Sequence, residues 1–113
     1  MEQSRVLAAL SALANETRLE LVRALIGRGA AGMAAGEIAQ TLGISASRLS
    51  FHLQQLEMAG LVSGRRASRH VFYAVDAARM GQVIGYLLND CCHALPEVSA
   101  CCAPGASSRA KAP

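Results

Sequence analysis

The chain contains no tryptophan, and only two tyrosines and two phenylalanines in 113 residues. Its core must therefore be assembled from Leu, Val, Ile and Ala, a composition typical of packed helices. No apolar run approaches the ~20 residues that a membrane-spanning helix needs. The opening Met-Glu-Gln-Ser-Arg also lacks the apolar stretch of a secretory leader. A cytoplasmic address with no membrane partner is the expectation. Charged residues are sparse at 17%, with a net charge of +3. That balance permits a polyanionic partner without demanding one. Cysteine is missing before position 91; the four present are Cys91, Cys92, Cys101 and Cys102. In a reducing compartment such thiols suit metal or redox chemistry better than structural disulfides. Catalytic motifs are missing too. Gly27 and Gly29 lack a phosphate-loop lysine, and no nucleophile–base pair or zinc-protease motif stands in a recognisable setting. The chain is expected not to be an enzyme. What remains is a 52% apolar chain, long enough for one domain around one core.

The stretch from Ala35 to Gly60 organises the rest. Ile38, Ala39 and Leu42 fall at i, i+1 and i+4, which predicts a short helix with one buried side. Gly43 supplies the backbone freedom of a helix C-terminus, Ile44 plugs the turn, and Ser45 is an N-cap. Leu49, Leu53 and Leu56 recur at i, i+4 and i+7 as the buried face of a second helix, which Gly60 stops. Its other side carries Ser47, Arg48, Ser50, Gln54 and Gln55, with His52 at the margin and no carboxylate before Glu57. Such a face suits phosphates and base edges. Helix, Gly-containing turn and helix make a helix-turn-helix. A solvated helical hairpin satisfies this window equally well.

The residues that follow weigh against the hairpin. Leu61 to Val75 reads as two β-rich runs around an Ala67-Ser68 turn, with Arg65, Arg66, Arg69 and His70 at or near the tip. A basic two-stranded ribbon after a recognition helix is a wing, placed to touch the sugar-phosphate backbone. Upstream, Val6, Leu7, Leu10 and Leu13 predict the apolar stripe of a first helix. Asn15 caps a second, with Leu19, Val22, Leu25 and Ile26 inward and Arg18, Glu20 and Arg23 outward. Gly27, Gly29 and Gly32 predict a flexible loop, and Met33 at most a short strand. Downstream, Asp76 caps a long helix whose Met80, Val83, Ile84, Leu87 and Leu88 form a broad apolar face, until Pro96 interrupts it. Unless that helix merely completes the monomer core, the surplus apolar surface predicts a homodimer through the first and last helices. Two recognition helices then stand about one DNA turn, ~34 Å, apart. The fold class is mainly α with a β-hairpin wing. Residues 1–95 form the winged helix-turn-helix DNA-binding and dimerisation domain, and residues 96–113 a cysteine-containing tail that is flexible beyond 102.

Four segments carry a family likeness. They are Asn15-Glu16-Thr17-Arg18-Leu19-Glu20-Leu21-Val22, Ser45-x-Ser47-x-Leu49-Ser50-x-His52-Leu53-x-x-Leu56, Ala59-Gly60-Leu61-Val62 and Val71-Phe72-Tyr73. Over about residues 4 to 95 the chain resembles the ArsR/SmtB winged-helix metalloregulatory repressors. The resemblance implies a homodimeric repressor that holds double-stranded operator DNA when ligand-free and releases it when an inducer binds. It also places Ser47, Arg48, Ser50 and Phe51 at groove-facing positions, and Arg65, Arg66, Arg69 and His70 on the wing. Phe51, often polar in relatives, either contacts a thymine methyl or packs against the wing.

The family's Cys-x-x-Cys-type arsenic motif would fall at Met33-Ala34-Ala35-Gly36-Glu37, which holds no thiol. Ala77-Ala78 after Asp76 likewise departs from its Asp/His zinc pattern. The inducer site must then use the C-terminal cysteines or be absent. Thiolates without a flanking carboxylate pair select soft ions, and trivalent arsenic takes three sulfurs. Adjacent helical residues diverge by ~100°. Cys91 and Cys92 therefore share an ion only at a fraying helix end, with a third sulfur from a folded-back tail or the other subunit. The spacing resembles C-terminal vicinal-cysteine arsenic sites in the family. That implies Cys91, Cys92 and Cys101 as ligands of trivalent arsenic or antimony, with Cys102 accessory and no organic cofactor. A zinc- or cadmium-responsive site and a thiol redox or persulfide sensor remain alternatives. His93 reads as a helix-end surface residue, not a ligand.

Overall fold

Three side-chain caps set the helix starts. Asn15 Oδ1 accepts from the Arg18 N–H at 3.0 Å, Ser45 Oγ from the Arg48 N–H at 3.2 Å, and Asp76 Oδ1 from the Arg79 N–H at 3.0 Å. Each satisfies a donor that the first helical turn leaves without an intrahelical partner. The computed structural model describes residues 1–102, and the flexibility expected beyond 102 lies outside the described residues. Its helices are α1 (Gln3–Leu13), α2 (Glu16–Ile26), α3 (Ala35–Leu42), α4 (Ala46–Met58), α5 (Ala77–Gly85) and α6 (Pro96–Ala100). A 3-10 turn (Gly29–Ala31) precedes α3, and a π-helical turn (Tyr86–Cys91) extends α5. Strands β1 (Met33–Ala34), β2 (Val62–Ala67) and β3 (His70–Val75) form one antiparallel sheet in the order β1-β3-β2.

The fold is the expected winged helix-turn-helix. Gly43 ends α3 in the left-handed region at φ +65°, and Ile44 packs on the core from the turn before α4. Leu49, Leu53 and Leu56 of α4 are buried against Leu21, Val22 and Leu25 of α2 and Ile38 of α3. Leu61 and Val62 carry that core into the wing, whose register runs from Val62↔Val75 to Ala67↔His70. The two-residue loop Ser68–Arg69 therefore closes the hairpin, with Ser68 at φ +60° as the mirror-image turns of tight hairpins require.

Four expectations need correction. In α1 the buried residues are Val6, Ala9 and Ala12, while Leu7 is 56% exposed and Leu10 also faces out. Small alanines let α1 approach the core closely, and the larger leucines are left uncovered. In α2, Leu21 is buried, whereas Leu19 and Ile26 are exposed. The last long helix does not run to Pro96. It ends at the π-helical turn, His93 and Ala94 adopt φ +52° and +54°, and Pro96 opens α6 at its first position. Proline lacks only a donor that this position leaves free anyway.

The fourth correction is the glycine loop, which has a defined shape. Gly32 is buried at φ +68°, and a Cβ there would stand 2.0 Å from the Tyr73 carbonyl oxygen of β3. Only glycine allows β1 to lie so close. Gly32→Ala is expected to destabilise the fold by about 3 kcal/mol or more, from the clash and the left-handed backbone together. A urea midpoint that stays at the native value would refute this reading of the loop.

Candidate nucleic-acid interface and thiol segment

Helix α4 divides cleanly into two sides. Leu49, His52, Leu53 and Leu56 are buried; Ser47, Arg48, Ser50, Phe51 and Gln54 are exposed. No acidic residue stands in its first turn, so the positive end of the helix dipole is uncompensated by carboxylates. Ser45 Oγ lies 3.3 Å from Ser47 Oγ, which groups two hydroxyls at that end. Hydroxyls, a guanidinium and exposed N–H groups at a helix N-terminus make a phosphate-binding arrangement.

His52 does not belong to that surface, contrary to the expectation. It is only 8% exposed, and its Nδ1 lies 3.1 Å from Nη1 of Arg18. Arg18, expected outward, also donates from Nε to the Ala12 carbonyl at 2.6 Å. A guanidinium can only donate, so Nδ1 is the acceptor and the neutral ring carries its proton on Nε2. Burial first, then the positive charges of Arg18 and Arg48, hold the His52 pKa below its ordinary 6.5. Sequence reasoning missed Arg18 as a support of the recognition helix. A pair on two different helices, 34 positions apart, leaves no periodic trace.

On the wing, Arg66, Arg69 and His70 are exposed at or next to the loop. Arg65 is positioned differently. It pairs across from Phe72, its Cζ lies 5.4 Å from that ring's centroid, and its Nη2 donates to the Ala31 carbonyl at 3.2 Å. Arg65 thus braces the wing on the 3-10 turn instead of standing at the tip. On the strand's other face, a Cβ at Gly64 would meet the Tyr73 ring at 2.9 Å, so the missing side chain makes room for Tyr73. Glu37, the acid nearest the start of the motif, is paired with Arg28.

The four cysteines are free thiols at or near two chain reversals. Cys91 closes the π-helical turn and Cys92 follows it, directly before the left-handed His93 and Ala94. The adjacent Cys91 thiol, with some burial, raises the Cys92 pKa. Cys101 caps α6, its thiol donating to the Glu97 carbonyl at 3.5 Å, and Cys102 donates to the Val98 carbonyl at 3.9 Å. Among the described residues no three thiols, imidazoles or carboxylates are gathered as a metal-binding group. The pairs Cys91–Cys92 and Cys101–Cys102 therefore stand apart in this structure. Among the described residues no helix is long and apolar enough to cross a membrane.

A family model described as a helix-turn-helix domain matches residues 13–65. The nodulation protein NolR of Rhizobium meliloti is 36% identical over 78 residues, which cover 69% of this chain but only 62% of that relative. The transcriptional activator HlyU of Vibrio cholerae is 34% identical over 75% of this chain and 76% of its own length. An ArsR-like transcriptional regulator from Rhodococcus sp. RHA1 superposes with a TM-score of 0.71 at 25% identity, covering 86% of this chain and 89% of that one. The homodimeric winged helix-turn-helix domain Mb0332 of Mycobacterium bovis gives 0.61 at 29% identity, covering 77% and 81%. A solved protein described as a possible transcriptional regulator for arsenical resistance gives 0.62 at 30% identity, covering 70% and 79%.

Because His52 titrates lower in the fold than in the unfolded chain, its neutral form is the native one. Its contribution is present above the unfolded value of about 6.5 and lost as pH falls through the lower folded value. His52→Asn keeps an acceptor for Arg18 and removes the titration. The urea midpoint should fall more for the native chain than for His52→Asn between about pH 7.5 and about pH 5.5. Equal falls would mean that His52 carries none of the acid sensitivity.

Proposed function

The chain belongs to the ArsR-like family of winged helix-turn-helix transcriptional regulators, and we propose that it is a homodimeric repressor that leaves its operator when trivalent arsenic occupies its C-terminal thiols. One observation carries the reading. A helix face with no carboxylate before Glu57 and a thiol segment after α5 occur in one chain. The solved protein described as a possible transcriptional regulator for arsenical resistance supports the inducer class.

Helix α4 lies in the major groove, with Ser47, Arg48, Ser50 and Gln54 toward base edges and phosphates. Arg66, Arg69 and His70 of the wing hold the neighbouring backbone. Two such heads are held together through α1 and α5. Leu7 and Leu10 of α1 and Ile84 of α5 are left exposed, and the Tyr86 hydroxyl donates to Gln3 Oε1 at 3.4 Å, so α1 adjoins the π-helical turn that extends α5. The homodimeric Mycobacterium relative supports that assembly.

Soft thiolate donors fit trivalent arsenic or antimony. Cys91, Cys92 and Cys101 hold the ion, with Cys102 accessory. No three of these thiols are gathered among the described residues, so capture draws the segment after α5 together. Because that segment continues the dimer helix, the movement changes the spacing of the two heads. An ion that bound free and DNA-bound dimers equally would release nothing.

Fluorescence anisotropy on a duplex recovered by in vitro selection tests both halves. Arsenite should weaken binding by about tenfold or more, and Cys92→Ser should stay bound. Release from Cys92→Ser at the native arsenite concentration rejects the ligand assignment, and release by zinc or by an oxidant but not arsenite replaces the inducer. Separately, Arg69→Ala should weaken binding to all sequences alike and reduce the log–log salt slope by about one. An unaltered slope removes Arg69 from the phosphate contacts.

A further inference from the structure

The outermost line of α4 is partly apolar. Ser47, Phe51, Gln54 and Met58 follow at i, i+4, i+7 and i+11, opposite the buried Leu49, Leu53 and Leu56. Phe51 is 54% exposed and stands between Ser47 and Gln54, whereas the other apolar residue of the line, Met58, lies at the last position of the helix. Its ring meets the His52 imidazole edge-on, with centroids 5.3 Å apart and planes at 68°. The wing's Phe72 is engaged instead by His70 and by the Arg65 guanidinium. Of the two roles open to Phe51, the geometry favours the outward one.

We propose that Phe51 is a specificity-determining residue that reads the C5-methyl group of one thymine in each operator half-site. The inference rests on the placement of α4 in the major groove given above. Thymine is the base that presents a methyl group there, and an apolar side chain recognises it by contact without a hydrogen bond. Phe51 sits midway along the reading line, between Ser47 and Gln54, so an A·T pair read by Phe51 lies between pairs within reach of polar groups. His52 beneath it is itself held by Arg18, so the ring is supported before DNA arrives. A supported ring loses little side-chain freedom on binding.

The test removes single methyl groups from DNA. In the duplex recovered by in vitro selection, each thymine is replaced in turn by deoxyuridine, which leaves Watson–Crick pairing intact. Affinity of the native chain should fall about fourfold at one position per half-site, as expected for one lost methyl contact. The same substitution should have no effect on Phe51→Ala and should retain its effect on Phe51→Leu, which keeps an apolar side chain. A flat profile with the native chain, or an unchanged profile with Phe51→Ala, overturns the assignment while leaving repression intact. Recovery of no bound duplex at all would overturn the DNA-binding reading itself.

Discussion

One guanidinium stands where three helices meet. Arg18 belongs to the first turn of α2, reaches the Ala12 carbonyl near the end of α1, and donates to His52 inside α4. The leucines beneath α4 set how deeply that helix is seated, because burial is non-directional. A hydrogen bond has direction, and the Arg18–His52 bond selects one rotation of α4 about its axis. That rotation places Ser47, Phe51 and Gln54 outward. A helix turned by one residue, ~100°, would present a different set. The exposed face of α4 is therefore held from below by a polar contact on the opposite side of the helix.

The electrostatics of the surface follow from the same arrangement. His52 stays neutral between two arginines, so the support adds no second buried charge that would need pairing. Positive charge is left where it is exposed: Arg48 at the start of α4, and Arg66 and Arg69 on the wing. The one carboxylate near the start of the motif, Glu37, is occupied by Arg28. A chain of net charge +3 can thus present a locally basic face without a strongly basic composition.

The C-terminal segment has the opposite character. From Cys91 to Cys102 no residue is buried, and the chain turns through two consecutive left-handed non-glycine residues. Such positions are strained, and a segment with little burial opens at low cost. The π-helical turn joins this segment to α5, whose Val83 is fixed in the core. This unburied cysteine segment is thus attached directly to a helix anchored in the core.

The local pattern of the chain was enough to place the caps at Asn15, Ser45 and Asp76, the buried leucines of α4, the wing strands and the concentration of thiols. Each of these depends on neighbours within a few residues, where helix period, turn chemistry and residue type act directly. Which leucines of α1 and α2 face inward was decided elsewhere. Ala9 and Ala12 are buried while Leu7 and Leu10 are not, because close approach between helices favours small side chains over hydrophobic ones. The end of the last long helix, the bracing of Arg65 against Ala31 and Phe72, and the seat of His52 under Arg18 also lay beyond local pattern. Local propensity determined the elements and their exposed chemistry. Only tertiary packing decided which polar groups support α4 from within and which stay exposed, because those pairings join residues from different elements, far apart in the chain.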